Sequence, residues 1–364
     1  MNKLFRWLSA AILPVTMLAS CTNDDPVKYE TVEVSSGVFV INQGLMSANL
    51  SGSITYCSYE SGKATQEAFS KINSQVLGDT PQDAITHGSK LYVAVYQSNL
   101  IRVIDRVTLK LIKDIRPEAE QGTQPRYLAA NDDKVYVTMF DGYVARIDTT
   151  SLTIDASVKV GPNPDGIDIC KGHVYAANSD GMNYLNGYAD GKTVSKIDLR
   201  TMKEVKKIEV GLNPGPMAAT AEGVYVVTRG NYGDIPAEVK RIKSDDSVES
   251  LMAGTMISST ESDLYVVNSP VFNPQIESVI RISDSGERAT ISIDPIAYPA
   301  AFGIDPVDGD IFFTAYNSTG VSADYTGPGY ALRLDSEGNT VTRFDVGLNP
   351  CALTFNSSYI LRFE

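Results

Sequence analysis

Val160-Gly161-Pro162-Asn163-Pro164, Val210-Gly211-Leu212-Asn213-Pro214 and Val346-Gly347-Leu348-Asn349-Pro350 state one phrase three times in a chain of 364 residues. Looser Gly-x-x-Pro copies stand at 78–81 and 122–125. After each proline comes the same series: a short apolar run, a turn, a Leu-Tyr-Val-like segment and an Ile-Asp pair. Pro81 leads to Tyr92 and Ile104-Asp105, Pro125 to Tyr136 and Ile147-Asp148, and Pro164 to Tyr175 and Ile197-Asp198. Pro214 leads to Tyr225 and Arg241-Ile242. Weaker copies surround Tyr265 with Arg281-Ile282 and Phe312 with Arg333-Leu334. Self-similarity at a period of about 40 to 50 residues means one supersecondary unit stacked many times. With an N-terminal copy at 37–80, the units number seven.

Each unit reads as four short strands rich in Val, Ile, Tyr and Thr and bounded by Gly, Asn, Asp and Ser. Residues 90–95 read as a strand buried on both faces. Residues 201–210 set Val205, Ile208 and Val210 among Lys and Glu, as an outer strand does. In the corner phrase, glycine is expected to supply a positive φ and asparagine to tolerate the left-handed region. Proline then opens a strand where it loses no ladder bond. The aspartate of each Ile-Asp pair suits an Asx turn between the third and fourth strands. No segment after residue 37 carries a helical period, which argues against an alternating βα fold. Four-stranded units repeated radially make an all-β fold, a seven-bladed β-propeller of antiparallel blades. Ring closure stays open at this level. Residues 351–355 read as an innermost strand, and both 359–363 and 38–42 read as its neighbour, so one segment is surplus.

The first twenty residues read as an address. Lys3 and Arg6 form a positive n-region, 7–19 an apolar stretch, and Leu18-Ala19-Ser20-Cys21 closes it. The small residues before Cys21 resemble a bacterial lipobox, so Cys21 is expected to be lipidated and to become the mature N-terminus. An acidic tether follows (Thr22-Asn23-Asp24-Asp25-Pro26), giving a signal peptide at 1–20, a lipidated tether at 21–36 and a single propeller domain at 37–364. Net charge moves from −13 to −15 once Lys3 and Arg6 leave. Such a surface repels phosphate backbones, so nucleic acid is not an expected partner. Cys57, Cys170 and Cys351 remain, an odd number that excludes a complete disulfide framework. They read as buried strand residues. If one bridge forms, Cys57 with Cys351 is the candidate, because both fall in the closing blade.

No catalytic constellation stands out. His87 and His173 sit near turns between first and second strands, and no Gly-x-Ser-x-Gly, His-Glu-x-x-His or Cys-x-x-Cys occurs. Asp165 and Asp168 could join a calcium site near the axis, but carboxylates do not recur at that offset in other units, and solvated or turn-capping roles explain them. The chain therefore reads as a non-enzyme without metal or cofactor.

The loops between second and third strands open on the same face as the corner phrase, and they are long and unusual in composition. They carry Asn42 and Gln43; Tyr96 and Gln97; Phe140 and Tyr143; Tyr184 and Tyr188; Arg229 and Tyr232; Phe272; and Tyr316 and Tyr325. Tyrosine offers rigid contact area at small entropic cost, and amides offer adaptable donors and acceptors. The opposite turns are plain (Gly88-Ser89, Lys171-Gly172). Function on a scaffold collects in such loops. Arg229 has two readings, a contact to a ligand phosphate or a partner for a loop acid.

The stretch 37–79 (Gly-Val-Phe-Val-Ile-Asn-Gln-Gly, Ser-Gly-Ser-Ile-Thr-Tyr, Val-Leu-Gly-Asp) and the blade series 81–355 resemble propeller lipoproteins of Bacteroidetes, within the propellers related to quinoprotein dehydrogenases. The nearest resemblance is to surface lipoproteins that capture vitamin B12 and pass it to an outer-membrane TonB-dependent transporter. It implies a corrinoid as bound ligand, a transporter as partner, and a lipid anchor at the outer membrane facing outward. It carries over no binding residue. A glycan or protein partner on the same face, or a propeller hydrolase, are the alternative readings.

Overall fold

Pro81, Pro125, Pro164, Pro214, Pro299 and Pro350 each open the strand at one edge of a four-stranded antiparallel sheet. The computed structural model describes residues 29–270, 274–318 and 322–363. Among them six sheets run in simple chain order: blade 1 (81–115), blade 2 (125–159), blade 3 (164–209), blade 4 (214–253), blade 5 (256–296) and blade 6 (299–348). A seventh sheet takes strands from both ends of the chain, in the order Pro350–Phe363, Tyr29–Asn42, Ser53–Ser58 and Ala64–Thr65. The single α-helix among the described residues, Ala68–Asn73, leads from this sheet toward blade 1.

Seven apolar clusters separate the seven sheets, one at each junction. Tyr92, Ile101 and Val103 of blade 1 meet Leu128, Val137 and Met139 of blade 2. The last junction closes the ring, with Phe312, Ala331 and Phe344 of blade 6 against Val38, Val40 and Cys57 of the closing blade. The seven-bladed propeller is therefore complete within the unit Glu33–Ser358. The other unit, Met1–Val32 with Tyr359–Glu364, has its described residues in strand conformation.

The closure resolves the surplus segment. Residues 359–363 continue the innermost strand instead of forming a separate second one, and 38–42 hold the second position. The Cys57–Cys351 pairing does not form, and all three described cysteines are free. Period-two alternation explains it: Cys57 packs toward blade 6, while Cys351 packs with Phe39 and Ile41 toward blade 1. Cys21 and the expected signal peptide at 1–20 lie outside the described residues.

The corner phrase follows its sequence reading at asparagine and departs from it at glycine. The asparagines hold the left-handed conformation (φ 44° at Asn163, 54° at Asn213, 55° at Asn349), and so do Thr80, Gln124 and Tyr298 at the same place before a blade-opening proline. Each turns its carbonyl toward the second-to-third-strand loop and accepts that loop's first N–H: Tyr96 to Thr80 (3.1 Å), Phe140 to Gln124 (3.0 Å), Arg229 to Asn213 (2.9 Å), Gln43 to Asn349 (2.8 Å). Of the three phrase glycines only Gly211 takes a positive φ, 113°. Gly161 and Gly347 are required by space, because a Cβ there would run into the buried amides of Asn178 and Asn42.

The Ile-Asp pairs form the expected Asx turns. Asp105 Oδ1 accepts the Thr108 N–H and hydroxyl (2.7 and 2.8 Å), and Asp198 Oδ1 those of Thr201 (2.8 and 2.7 Å). These bonds hold both carboxyls below the usual range.

The innermost strands leave backbone N–H groups facing the axis, and side chains of the adjacent blade cap several of them. Asp83 Oδ2 accepts from Leu128 N (2.9 Å), Thr354 Oγ1 from Thr86 N (3.2 Å) and Ser258 Oγ from Ile304 N (3.2 Å). Asp168 likewise accepts from Ala219. Asp83 and Asp168 border an axial cavity of about 420 Å³ that touches all seven innermost strands. Burial drives both carboxyls up, Asp83 to about 7 and Asp168 to about 6. A carboxyl with a raised folded-state pKa binds its proton more tightly folded than unfolded, so its contribution is full below the ordinary value of 3.8, falls as pH rises above it, and is gone once pH passes about 6 for Asp168 and about 7 for Asp83. Asp83→Asn, which keeps an acceptor for Leu128 N–H, is expected to raise the melting temperature more at pH 8 than at pH 5. An equal effect at both pH values would show that Asp83 does not titrate in this window.

Candidate functional site

The residue after each blade-opening proline lies at the loop-face end of an innermost strand, and three of these build a charged centre. Arg126 follows Pro125, Asp165 follows Pro164 and Gly215 follows Pro214. Arg229, the first residue beyond the second strand of blade 4, reaches across Gly215. Its Nη1 donates to Asp165 Oδ2 at 2.9 Å, while Arg126 Nη2 stands 3.6 Å from the same oxygen. The Asp165 side chain is 5% exposed, against 20% and 22% for the two guanidiniums. Burial alone would raise its pKa, but Arg229 and Arg126 outweigh burial and hold the carboxyl below its ordinary value. Two cations sharing one anion leave a net positive centre in a chain of net charge −13.

Aromatic rings frame this centre. The Arg126 guanidinium lies 4.6 Å from the Phe140 ring centroid, a cation–π contact, and Tyr96 meets Phe140 edge-on at 5.5 Å. Tyr188 and Tyr232 border the same cavity of about 310 Å³. Both hold left-handed backbone, φ 55° and 57°, a conformation costly for a bulky side chain and concentrated at working sites. A second cavity of about 330 Å³ shares Arg229 and Tyr232 and continues over Ile235, Pro236, Ala253 and Pro270.

Gly215 has no positive φ, and its missing side chain is what gives Arg229 room: a Cβ would meet the guanidinium, the free end of a flexible side chain. Gly215→Ala is expected to leave the fold intact and to dislodge Arg229, costing about 1–2 kcal/mol as a charged hydrogen bond is lost. Arg229→Gln should cost about the same, and the double variant no more than either alone. Additive losses in urea titrations would separate Gly215 from Arg229.

A family described as "Domain of unknown function (DUF5074)" matches residues 36–346, most of the chain. The chain belongs to the DUF5074 family. Solved structures share its architecture at low identity. Kuenenia stuttgartiensis hydrazine synthase aligns with a TM-score of 0.58 and 16% identity over 78% of this chain and 95% of that one. A streptogramin B lyase gives 0.54 and 13% over 78% and 93%, and U3-55K 0.55 and 9% over 75% and 84%. Such identities establish the fold alone. No curated protein matches the chain.

In this DUF5074 domain the loop residues singled out from the sequence separate into groups. Phe140, Tyr188, Arg229 and Tyr232 come together around the charged centre, with Tyr96 behind Phe140. Arg229 pairs with an acid, but that acid is Asp165 of an innermost strand and not a residue of a neighbouring loop. Asp165 is thus neither solvated nor turn-capping, and among the described residues no group of three His, Cys, Asp or Glu could hold a metal. Asn42 is fully buried, and its amide donates to Ser53 Oγ (3.2 Å) and Thr55 Oγ1 (3.1 Å), so it braces the closing blade. Tyr143 packs into the cluster between blades 1 and 2. Gln43 and Gln97 serve the corner through their backbone N–H groups. Tyr184 is 60% exposed on a 3-10 turn, and Tyr316 and Tyr325 pair edge-on at 4.8 Å. Phe272 lies outside the described residues. His87 ends one strand and His173 opens another, each beside a turn, and they are bonded to the Asp132 and Lys171 carbonyls at 2.6 and 3.1 Å.

Proposed function

We propose that this protein is a non-catalytic binding protein that captures a corrinoid on its loop face. The observation that carries the binding reading is the convergence of Arg126, Asp165 and Arg229 with Phe140, Tyr188 and Tyr232 beside two adjoining cavities on one face of a rigid ring. A corrinoid is broad, fringed with amides and carries one phosphate, which suits a wide face with aromatic, amide and cationic groups. The sequence resemblance supplies the rest of the reading: a lipid anchor at Cys21, display at the outer membrane, and delivery of the ligand to a TonB-dependent transporter. Propellers also host enzymes, and the non-catalytic reading rests on a centre whose one acid is held ionised between two arginines, poorly suited to proton transfer.

The test is direct. Purified protein mixed with cyanocobalamin and passed through a desalting column should elute red at about one equivalent. Colourless protein at micromolar concentration would overturn the corrinoid reading and bring a glycan or protein ligand forward. Metabolic labelling with a fatty acid, lost in Cys21→Ala, checks the anchor.

A further inference from the structure

The charged centre has unspent binding capacity. Arg229 spends Nη1 on Asp165, and among the described residues its other guanidinium nitrogens have no protein acceptor. Arg126 reaches the same carboxylate oxygen only at 3.6 Å. Both guanidiniums border the open cavity of about 310 Å³, where among the described residues no second carboxylate stands beside Asp165. The adjoining cavity differs in character. Among the described residues Arg229, at their junction, is its one charged wall, and Ile235, Pro236, Ala237, Ala253 and Pro270 give it a mainly apolar surface with Tyr232 at its edge.

We propose that the two cavities form one bipartite receptor for an organic phosphate: the phosphate oxygens take the free edge of Arg229 and the charge of the neighbouring Arg126 guanidinium, and an apolar or aromatic arm enters between Ile235 and Ala253. Guanidinium forks match phosphate oxygens in pairs, and the apolar neighbour supplies area without competing charge. Asp165 is a positioning residue, holding two like charges at the spacing a single anion can bridge. The inference rests on the loop-face binding reading and narrows it to a ligand class. The phosphate can belong to a corrinoid's phosphodiester or to a free phosphate ester.

Phenyl phosphate titrated calorimetrically into the purified protein tests it, with benzyl alcohol as neutral counterpart and cyanocobalamin run in parallel. Phenyl phosphate should bind one to one and weaken at 1 M salt, and benzyl alcohol should not register. Arg229→Gln should weaken phenyl phosphate at least about tenfold, with Arg229→Lys between, because the charge stays and the fork is lost. Ile235→Asn should weaken phenyl phosphate but leave inorganic phosphate unchanged, and melting curves check that each variant folds. No binding of phenyl phosphate, or equal binding to Arg229→Gln, overturns the receptor. If cyanocobalamin binds in that case, the corrinoid reading survives without it. If phenyl phosphate binds and cyanocobalamin does not, the receptor stands and the corrinoid reading falls. Mutual competition would assign the phosphate to the corrinoid, and simultaneous binding to a separate phosphate ester.

Discussion

Asp165→Asn is expected to cost about 3 kcal/mol although it preserves side-chain volume. The carboxylate is buried and stands between two guanidiniums at 2.9 and 3.6 Å. Removing one partner of a buried pair usually costs about 3–5 kcal/mol, because the remaining charge is left without compensation. Here the remaining charges are two and repel each other. They also keep about a fifth of their surface open to the cavity, which admits water and places the cost at the lower end. In a domain of this size the melting temperature should drop by roughly 5 °C. Asp165→Asn with Arg229→Gln should be more stable than the sum of the single losses implies, since the second change removes one orphaned cation. A drop below 1 °C for Asp165→Asn would show that water already compensates the arginines.

Gly166→Ala is expected to cost about 3 kcal/mol by a different route. Gly166 and Gly215 stand on neighbouring innermost strands, and a Cβ on Gly166 would overlap the Gly215 carbonyl oxygen and come within 2.9 Å of the Met217 nitrogen. Both are backbone atoms, so no rotamer relieves the clash and blades 3 and 4 must part. Overpacking of this kind costs about 1–3 kcal/mol, and rigid neighbours place it at the top. Because Gly215 also seats Arg229, the same wedge should disturb the charged centre. Gly233→Ala is the control: its new Cβ meets only the Asn231 side chain at 3.4 Å and should stay within about 0.5 kcal/mol. Equal melting temperatures for Gly166→Ala and the parent would refute the close approach of the two strands.

The architecture was readable because its punctuation is covalent and local. Proline before a strand, asparagine in a corner and aspartate before threonine act within a few residues, and the repeated phrase marks each blade. What failed was long-range. Gly161 and Gly347 looked like conformational glycines, yet their reason is the buried amides of Asn178 and Asn42, which sequence spacing alone does not bring close. Cys57 and Cys351 share a sheet but face different junctions. At the site, Arg229 and its tyrosine neighbours stood out because they lie in loops. Arg126 was missed because it follows Pro125 inside an innermost strand, where a charged residue reads as exposed by alternation. Comparing the residue after every blade-opening proline (Gln82, Arg126, Asp165, Gly215, Ala300, Cys351) would have shown the opposite charges in adjacent blades.

The closing blade also fixes how the ring answers a mechanical load. The strand that receives the N-terminal end of the chain runs between the innermost strand and the third one, bonded on both sides. A pull along it from before Glu33 loads those hydrogen bonds side by side, in shear, and they must fail nearly together. A pull at the rim on Ala64–Thr65 meets a two-residue strand paired on one side, whose bonds open one after another. A load applied at the N-terminal strand is therefore resisted far better than one that peels the ring at its outer edge.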